Sequence, residues 1–101
     1  MNIGNVIKSL RNQRGLSQKE FASLCKISQT SLSMIETGTK RPNPKNLKKI
    51  CEVLEIKEVY LYILSSEESD IPETKKGLYK ELFPIIETMI KKLWEEEKAH
   101  A

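Results

Sequence analysis

Apolar positions recur at helical intervals in several short stretches of the first 64 residues, with polar, glycine or proline breaks between them. In the first stretch Ile3, Val6, Ile7 and Leu10 fall on one face of a helix. Alternating β-branched runs, which indicate strands, do not compete with this pattern. The sequence therefore predicts an all-α unit whose first helix covers roughly Ile3–Gln13.

Two short helices follow the first one. Ser17 and Glu20 form a capping box that starts one helix, after Gly15 has ended the helix before it. Ser28 is a good N-cap for the other helix, and Gly38 supplies its stop. Helices this short are unstable alone, so they must pack on each other and on a third element. Their predicted inner positions are Phe21, Ala22, Leu24, Cys25, Ile27, Leu32 and Ile35.

The second of these helices has an unusual outward face. Its predicted outer residues are mostly small, whereas a solvated helix surface usually carries Lys and Glu. Small residues suit a helix that approaches base edges in a DNA groove. Two other interpretations stay open, namely an ordinary surface residue at Gln29 and a filler of the core at Met34. The outward residues are Ser28, Gln29, Thr30, Ser33 and Met34.

Two further helices complete the N-terminal unit. Asn43 and Pro44 start one of them, as N-cap and first helical residue. The other covers Glu58–Leu64 after a turn at Ile56. The buried stripe of the proline-led helix comprises Leu47, Ile50, Cys51 and Leu54.

The composition changes after residue 64. Residues 65–73 are polar, acidic and proline-containing, which indicates a linker, and residues 74–98 are helical with a wide apolar stripe. Pro84 either kinks this helix or splits it into two. The stripe either folds back onto its own chain or pairs with a second chain; we favour pairing and assign 74–101 as a dimerisation element. Its residues are Leu78, Leu82, Ile85, Ile86, Met89, Ile90, Leu93 and Trp94.

Charge is distributed unevenly along the chain. The net charge is +3, but residues 1–64 hold 11 Lys/Arg against 5 Asp/Glu, which gives +6, and residues 65–101 hold 6 against 9, which gives −3. The basic part is the part with the paired short helices, as expected of a surface that meets phosphate. A merely solvated basic surface would give the same balance.

The remaining composition argues against several functions. We expect a cytoplasmic protein without a membrane span or signal peptide, because long apolar runs are absent. We expect Cys25 and Cys51 to be buried, reduced thiols. Together with the single His100 they lack metal-ligand spacing, so no metal and no cofactor are expected. We expect no enzymatic activity, since a phosphate-binding glycine loop and a nucleophile–base pair are both missing.

The stretch RNQRGLSQKEFASLCKISQTSLSMIETGTKRPNPKNLKKICEVLEI resembles the DNA-binding domain of the phage repressor and Cro-type helix-turn-helix family. The glycine-hydrophobe-Ser-Gln opening, the Glu-x-Gly close, the KRP loop and the proline-led helix all fall at family spacing. The resemblance covers residues 3–64 and implies a five-helix repressor-like domain within 1–64. Lys26 is a departure, because many members carry glycine at that point of the turn.

The resemblance also implies roles for individual residues. The outward residues 28–30, 33 and 34 would face the major groove, with Gln29 the best candidate for a two-point bond to adenine. Arg11 and Glu36 would form an internal ion pair, worth about 0–1 kcal/mol as a surface pair. Contacts to the phosphate backbone would come from Gln18, Thr39, Lys40 and Arg41. Lys26, at which the chain departs from the family, would add a further cation near the DNA backbone.

These observations lead to two functional hypotheses. The first is a sequence-specific regulator that binds double-stranded DNA, a homodimeric repressor reading a palindromic operator with helix 28–36. The alternative is a protein-interaction module or antitoxin whose C-terminal helix binds a different protein.

Overall fold

The fold of the chain was taken from a computed structural model that describes residues 1–99, and the side chains of residues 1–96. His100, the single histidine, lies outside the described residues. The described part contains six α-helices and two 3₁₀ turns, at Glu68–Asp70 and Glu73–Lys75. The helices are α1 (Ile3–Gln13), α2 (Gln18–Cys25), α3 (Gln29–Glu36), α4 (Pro44–Leu54), α5 (Glu58–Leu64) and α6 (Lys76–Ala99).

The helices begin where the sequence predicts. The Ser17 hydroxyl accepts a hydrogen bond from the Glu20 amide, and the Glu20 carboxylate accepts one from the Ser17 amide, which completes the capping box. Ser28 and Asn43 cap α3 and α4 by accepting from backbone amides three residues on. Each cap satisfies an amide that the first helical turn leaves without an intrahelical partner. The all-α prediction is therefore confirmed, as are the bounds of α1 and α5 and the predicted starts of α2, α3 and α4.

The core lies among α1–α5 and includes both cysteines. Burial raises the pKa of the Cys25 and Cys51 thiols to about 11, so both are protonated at neutral pH. One predicted core position was wrong: Leu24 is 55% exposed, because Phe21, Ala22 and Cys25 already fill the inward face of α2. The buried apolar residues of α1–α5 and the turn at Ile56 are Ile7, Leu10, Phe21, Ala22, Cys25, Leu32, Ile35, Leu47, Ile50, Cys51, Leu54, Ile56, Leu61 and Leu64.

The segment between α5 and α6 is held against the rest of the chain. The Ser65 carbonyl accepts from the Asn2 amide, and the buried Ser65 hydroxyl donates to the Leu61 carbonyl. Tyr79 in the first turns of α6 donates from its hydroxyl to the Ser66 carbonyl at 2.9 Å. These bonds fix the direction in which α6 leaves the N-terminal unit.

Helix α6 is continuous through Pro84, so the interpretation that proline splits this region into two helices was wrong. Its C-terminal half docks on the same chain. Trp94 donates from its indole Nε1 to the Leu54 carbonyl at 3.1 Å, and Ile90 and Trp94 are only 6% and 3% exposed. Their assignment to a dimerisation surface therefore has to be corrected, because both side chains are buried within one chain. The other six stripe residues are exposed.

Among residues 1–99, no helix is both long and apolar enough to cross a membrane.

Candidate nucleic-acid interface

Helix α3 has an inward and an outward face. Leu32, Ile35 and Glu36 are buried against the other helices. On the opposite side Gln29, Thr30 and Met34 are exposed, as is Ser28 at the cap, while Ser33 is half-buried at the edge of this face. The Ser28 hydroxyl accepts from the Ser31 amide, which leaves its own hydrogen free to donate outward. The outward set predicted from the sequence thus occupies one accessible surface.

The turn between α2 and α3 passes through Lys26, which adopts the left-handed conformation with φ 57° and ψ 42°. This region favours glycine, and a lysine there costs about 1–2 kcal/mol. The amides of Lys26 and Ile27 donate to the Ser23 and Ala22 carbonyls and close the turn. Ile27 then packs its partly buried side chain against the core. Lys26 itself is exposed and precedes Ser28, the N-cap of α3, by two residues.

The loop after α3 returns to the helix that it follows. Gly38 has φ 81°, and the Lys40 amide donates to the Met34 carbonyl at 3.1 Å. The Thr37 hydroxyl also bonds the Met34 carbonyl, and it lies 3.0 Å from the Thr39 hydroxyl. These bonds place Thr39 and the two cations that follow it at the C-terminal end of α3. All three predicted phosphate-contact residues of this loop, Thr39, Lys40 and Arg41, are exposed.

An ion pair lies under the interface. Arg11 donates from Nε to Glu36 Oε2 at 2.7 Å and from Nη2 to Glu36 Oε1 at 3.0 Å. Its Nη1 donates to the Leu16 carbonyl. The predicted internal pair is present, and the figure of about 0–1 kcal/mol for a surface pair does not apply to it, because both residues are buried between α1 and α3. A two-point, desolvated pair of this kind fixes the orientation of α3 relative to α1.

Sequence reasoning missed two features that position this interface. Gln18 donates from Nε2 to Glu36 Oε1 at 3.2 Å, so a predicted phosphate contact is tied to the buried ion pair. Gly4 lets α1 approach the end of α3, since a Cβ there would collide with the Ile35 carbonyl oxygen. A small residue on the inward face of α1 was the only available signal for this contact.

The comparison with protein families agrees with this geometry. A family model described as helix-turn-helix, of the Cro/C1 type, matches residues 7–61, which is more than half of the chain. The chain belongs to this helix-turn-helix family. It is a DNA-binding transcription regulator, and enzymatic activity is not typical of the family. A comparison with curated protein sequences found no significant match.

Within this helix-turn-helix protein, α2 and α3 are the paired helices and 26–28 are the turn. The matched range ends in α5 and does not include α6. Family membership therefore accounts for the five-helix unit and not for α6.

Proposed function

We propose that this chain is a dimeric repressor that reads a roughly palindromic operator by placing α3 in the major groove. The observation that supports this most strongly is the accessible face of α3, which carries small and amide side chains and is flanked by cations at both ends. Residues 1–64 also carry a net charge of +6, whereas residues 65–101 carry −3, so the positive charge lies in the unit that contains α3.

The outward residues of α3 fall into two groups, those that can select a particular base and those that can bond to a base without selecting it. Gln29 carries an amide that can donate to N7 and accept from N6 of one adenine. Thr30 and Met34 present methyl groups that suit the methyl group of thymine. Ser28 and Ser33 have hydroxyls that can either donate or accept, so they add bonds without choosing one base.

The proposed phosphate contacts lie on both sides of the base-contacting residues of α3 along the chain. Lys26 lies before α3, and Thr39, Lys40 and Arg41 lie after it, so the backbone would be held on both sides of the groove. Gln18 Nε2 has two hydrogens, of which one is donated to Glu36. The second can be donated to a phosphate oxygen without breaking that bond.

The test is to select bound sequences from randomised double-stranded DNA with the full chain and to compare variants on the selected site. For Gln29→Ala we expect a loss of about 1–3 kcal/mol that is confined to one base position in each half-site. For Lys40→Ala we expect uniformly weaker binding to all sequences and a flatter dependence on salt. Equal affinity of the wild-type chain for selected and scrambled DNA would refute specific reading.

Repression is tested separately with a reporter gene behind the selected site. Expression should fall when the chain is present and recover with Gln29→Ala; activation by the wild-type chain would contradict the proposal. Two recognition helices should read half-sites about 34 Å apart, so the selected sequence should be symmetric.

A second candidate function is supported by the exposed stripe of α6. Such a stripe also suits an antitoxin-like chain that binds a different protein. A monomer whose α6 surface is covered only by a different protein would support this alternative, and a homodimer would support the first proposal.

A further inference from the structure

We propose that the outer face of α6 binds a second copy of this chain, and that the two α6 helices pack antiparallel about a two-fold axis between Ile85 and Ile86. This inference rests on the dimeric function proposed above and specifies the surface, orientation and register of the dimer.

The outer face is apolar and continuous. Its six residues are each 40–58% exposed, although all are large and apolar. At 100° per residue they fall within an arc of about 100° on the helix. Ile90 and Trp94, which dock on the chain's own core, lie beside this arc and hold α6 so that the arc faces outward. The outer face consists of Leu78, Leu82, Ile85, Ile86, Met89 and Leu93.

The spacing of the outer face is the same in both directions along the chain. The intervals between successive members are 4, 3, 1, 3 and 4 residues. In a two-fold symmetric contact, if residue i meets residue j of the second copy, then j meets i. An antiparallel pair centred between residues 85 and 86 therefore matches every member with another: Leu78 with Leu93, Leu82 with Met89, and Ile85 with Ile86.

Charges beside the outer face select the antiparallel orientation. The exposed Lys75 and Glu96 lie at its two ends, so antiparallel packing brings each to its opposite charge on the second copy. The exposed Glu81 and Lys92 lie on one flank, and the same packing brings them within about two residues of each other. A parallel pair would instead place Lys75 against Lys75 and Glu96 against Glu96, which is repulsive.

A groove next to the outer face fits this register. It has a volume of about 390 Å³ and lies between α5, the segment before α6 and the first half of α6, with Leu78 and Leu82 in its wall. Ile63, Ile71 and Tyr79 complete most of the apolar lining. The register places Met89 and Leu93 of the second copy over this groove. A flexible methionine is well suited to fill an irregular apolar space.

The oligomeric state is the first test, measured by sedimentation equilibrium of the full chain. We expect a concentration-dependent dimer for the wild-type chain and a monomer for Leu82→Lys. Thr88→Lys is the matched control, because it adds the same charge to an exposed position of α6 outside the arc, and it should remain dimeric. Circular dichroism of each variant should show unchanged helix content.

The register is tested by thiol cross-linking. Cys25 and Cys51 are buried, so the wild-type chain supplies the background. A mixture of Leu78→Cys and Leu93→Cys chains should cross-link, and Ile85→Cys should cross-link to itself near the axis. Neither Leu78→Cys nor Leu93→Cys alone should do so, because equivalent positions lie roughly 22 Å apart at 1.5 Å rise per residue. Self-linking of both end variants, without linking in the mixture, would overturn the antiparallel register.

The ends of the interface can be tested by charge exchange. Lys75→Glu or Glu96→Lys alone should weaken the dimer a few-fold, and the double variant should recover wild-type affinity.

A wild-type chain that stays monomeric at several hundred micromolar would overturn the inference. Selection of DNA tests the proposed function independently. A monomeric chain that still binds DNA specifically through Gln29 would contradict the α6 interface and leave the DNA-binding proposal intact. A dimeric chain without DNA specificity would contradict sequence-specific binding and leave the interface intact.

Discussion

The five-helix unit and α6 use their apolar residues in different ways. In α1–α5 the inward stripes are almost completely buried by one another, with Ile7, Phe21 and Leu32 fully inaccessible. In α6 only Ile90 and Trp94 of the eight stripe residues reach that core. The comparison shows that a chain can complete one core by itself and use a few anchors to present a second apolar surface outward.

The largest expected effect comes from the five-helix unit. Glu36→Ala leaves the Arg11 guanidinium buried without its carboxylate, which should lower the free energy of unfolding by about 3–5 kcal/mol. Urea unfolding followed by the fluorescence of Trp94, the single tryptophan, measures this loss. Glu52→Ala in the exposed part of α4 is the control and should change little. A loss below about 1 kcal/mol for Glu36→Ala would mean that the pair acts as an exposed one.

Two neighbouring residues of α6 test whether its two faces really differ. Trp94→Ala removes a buried indole and its bond to the Leu54 carbonyl, so it should destabilise the chain by about 3 kcal/mol. Leu93→Ala should cost less than about 0.5 kcal/mol at concentrations where the chain is monomeric. Thermal unfolding followed by circular dichroism measures both. Equal losses would contradict the division of α6 into a docked and an outward face.

The two buried thiols make the free energy of unfolding depend on pH in the alkaline range. The folded-state pKa of each is about 11, above the ordinary value of 9.0. Only the unfolded chain loses these protons between pH 9 and 11, so stability is fully present below pH 9 and falls as pH rises toward 11. The loss should be about 2 kcal/mol per thiol at most. Cys25→Ala with Cys51→Ala should reduce this alkaline loss, whereas an unchanged slope would show that other groups cause it.

Local signals explain why much of this fold could be predicted from the sequence. Ser17, Ser28 and Asn43 each bond an amide three residues away, so a short window of sequence contains the whole interaction. The packing site of the Trp94 side chain could not be predicted in this way, because the carbonyl to which it donates lies 40 residues earlier in the chain. The outward set of α3 followed from its period, but the bond between Gln18 and Glu36 depends on how α2 packs against α3. Sequence periodicity shows which residues share a face, and only tertiary packing shows what that face meets.

The smallest expected effect concerns the turn that joins the two paired helices. Lys26 has a left-handed backbone, so Lys26→Gly should raise the free energy of unfolding by about 0.5–1 kcal/mol despite the greater freedom of glycine in the unfolded chain. Glu55 has the same conformation after α4, but its carboxylate pairs with Arg14 at 3.2 Å. Glu55→Gly should therefore gain less stability than Lys26→Gly.

DNA binding separates the two glycine variants further. If Lys26 contacts phosphate as proposed, Lys26→Gly should bind DNA more weakly and reduce the salt slope by about one, while Glu55→Gly should bind as the wild-type chain does. Unfolding by urea and DNA titration at several salt concentrations give the two quantities on the same samples. If the Lys26→Gly chain gains stability and keeps full affinity for DNA, Lys26 does not contact phosphate, and its strained backbone has no function in binding.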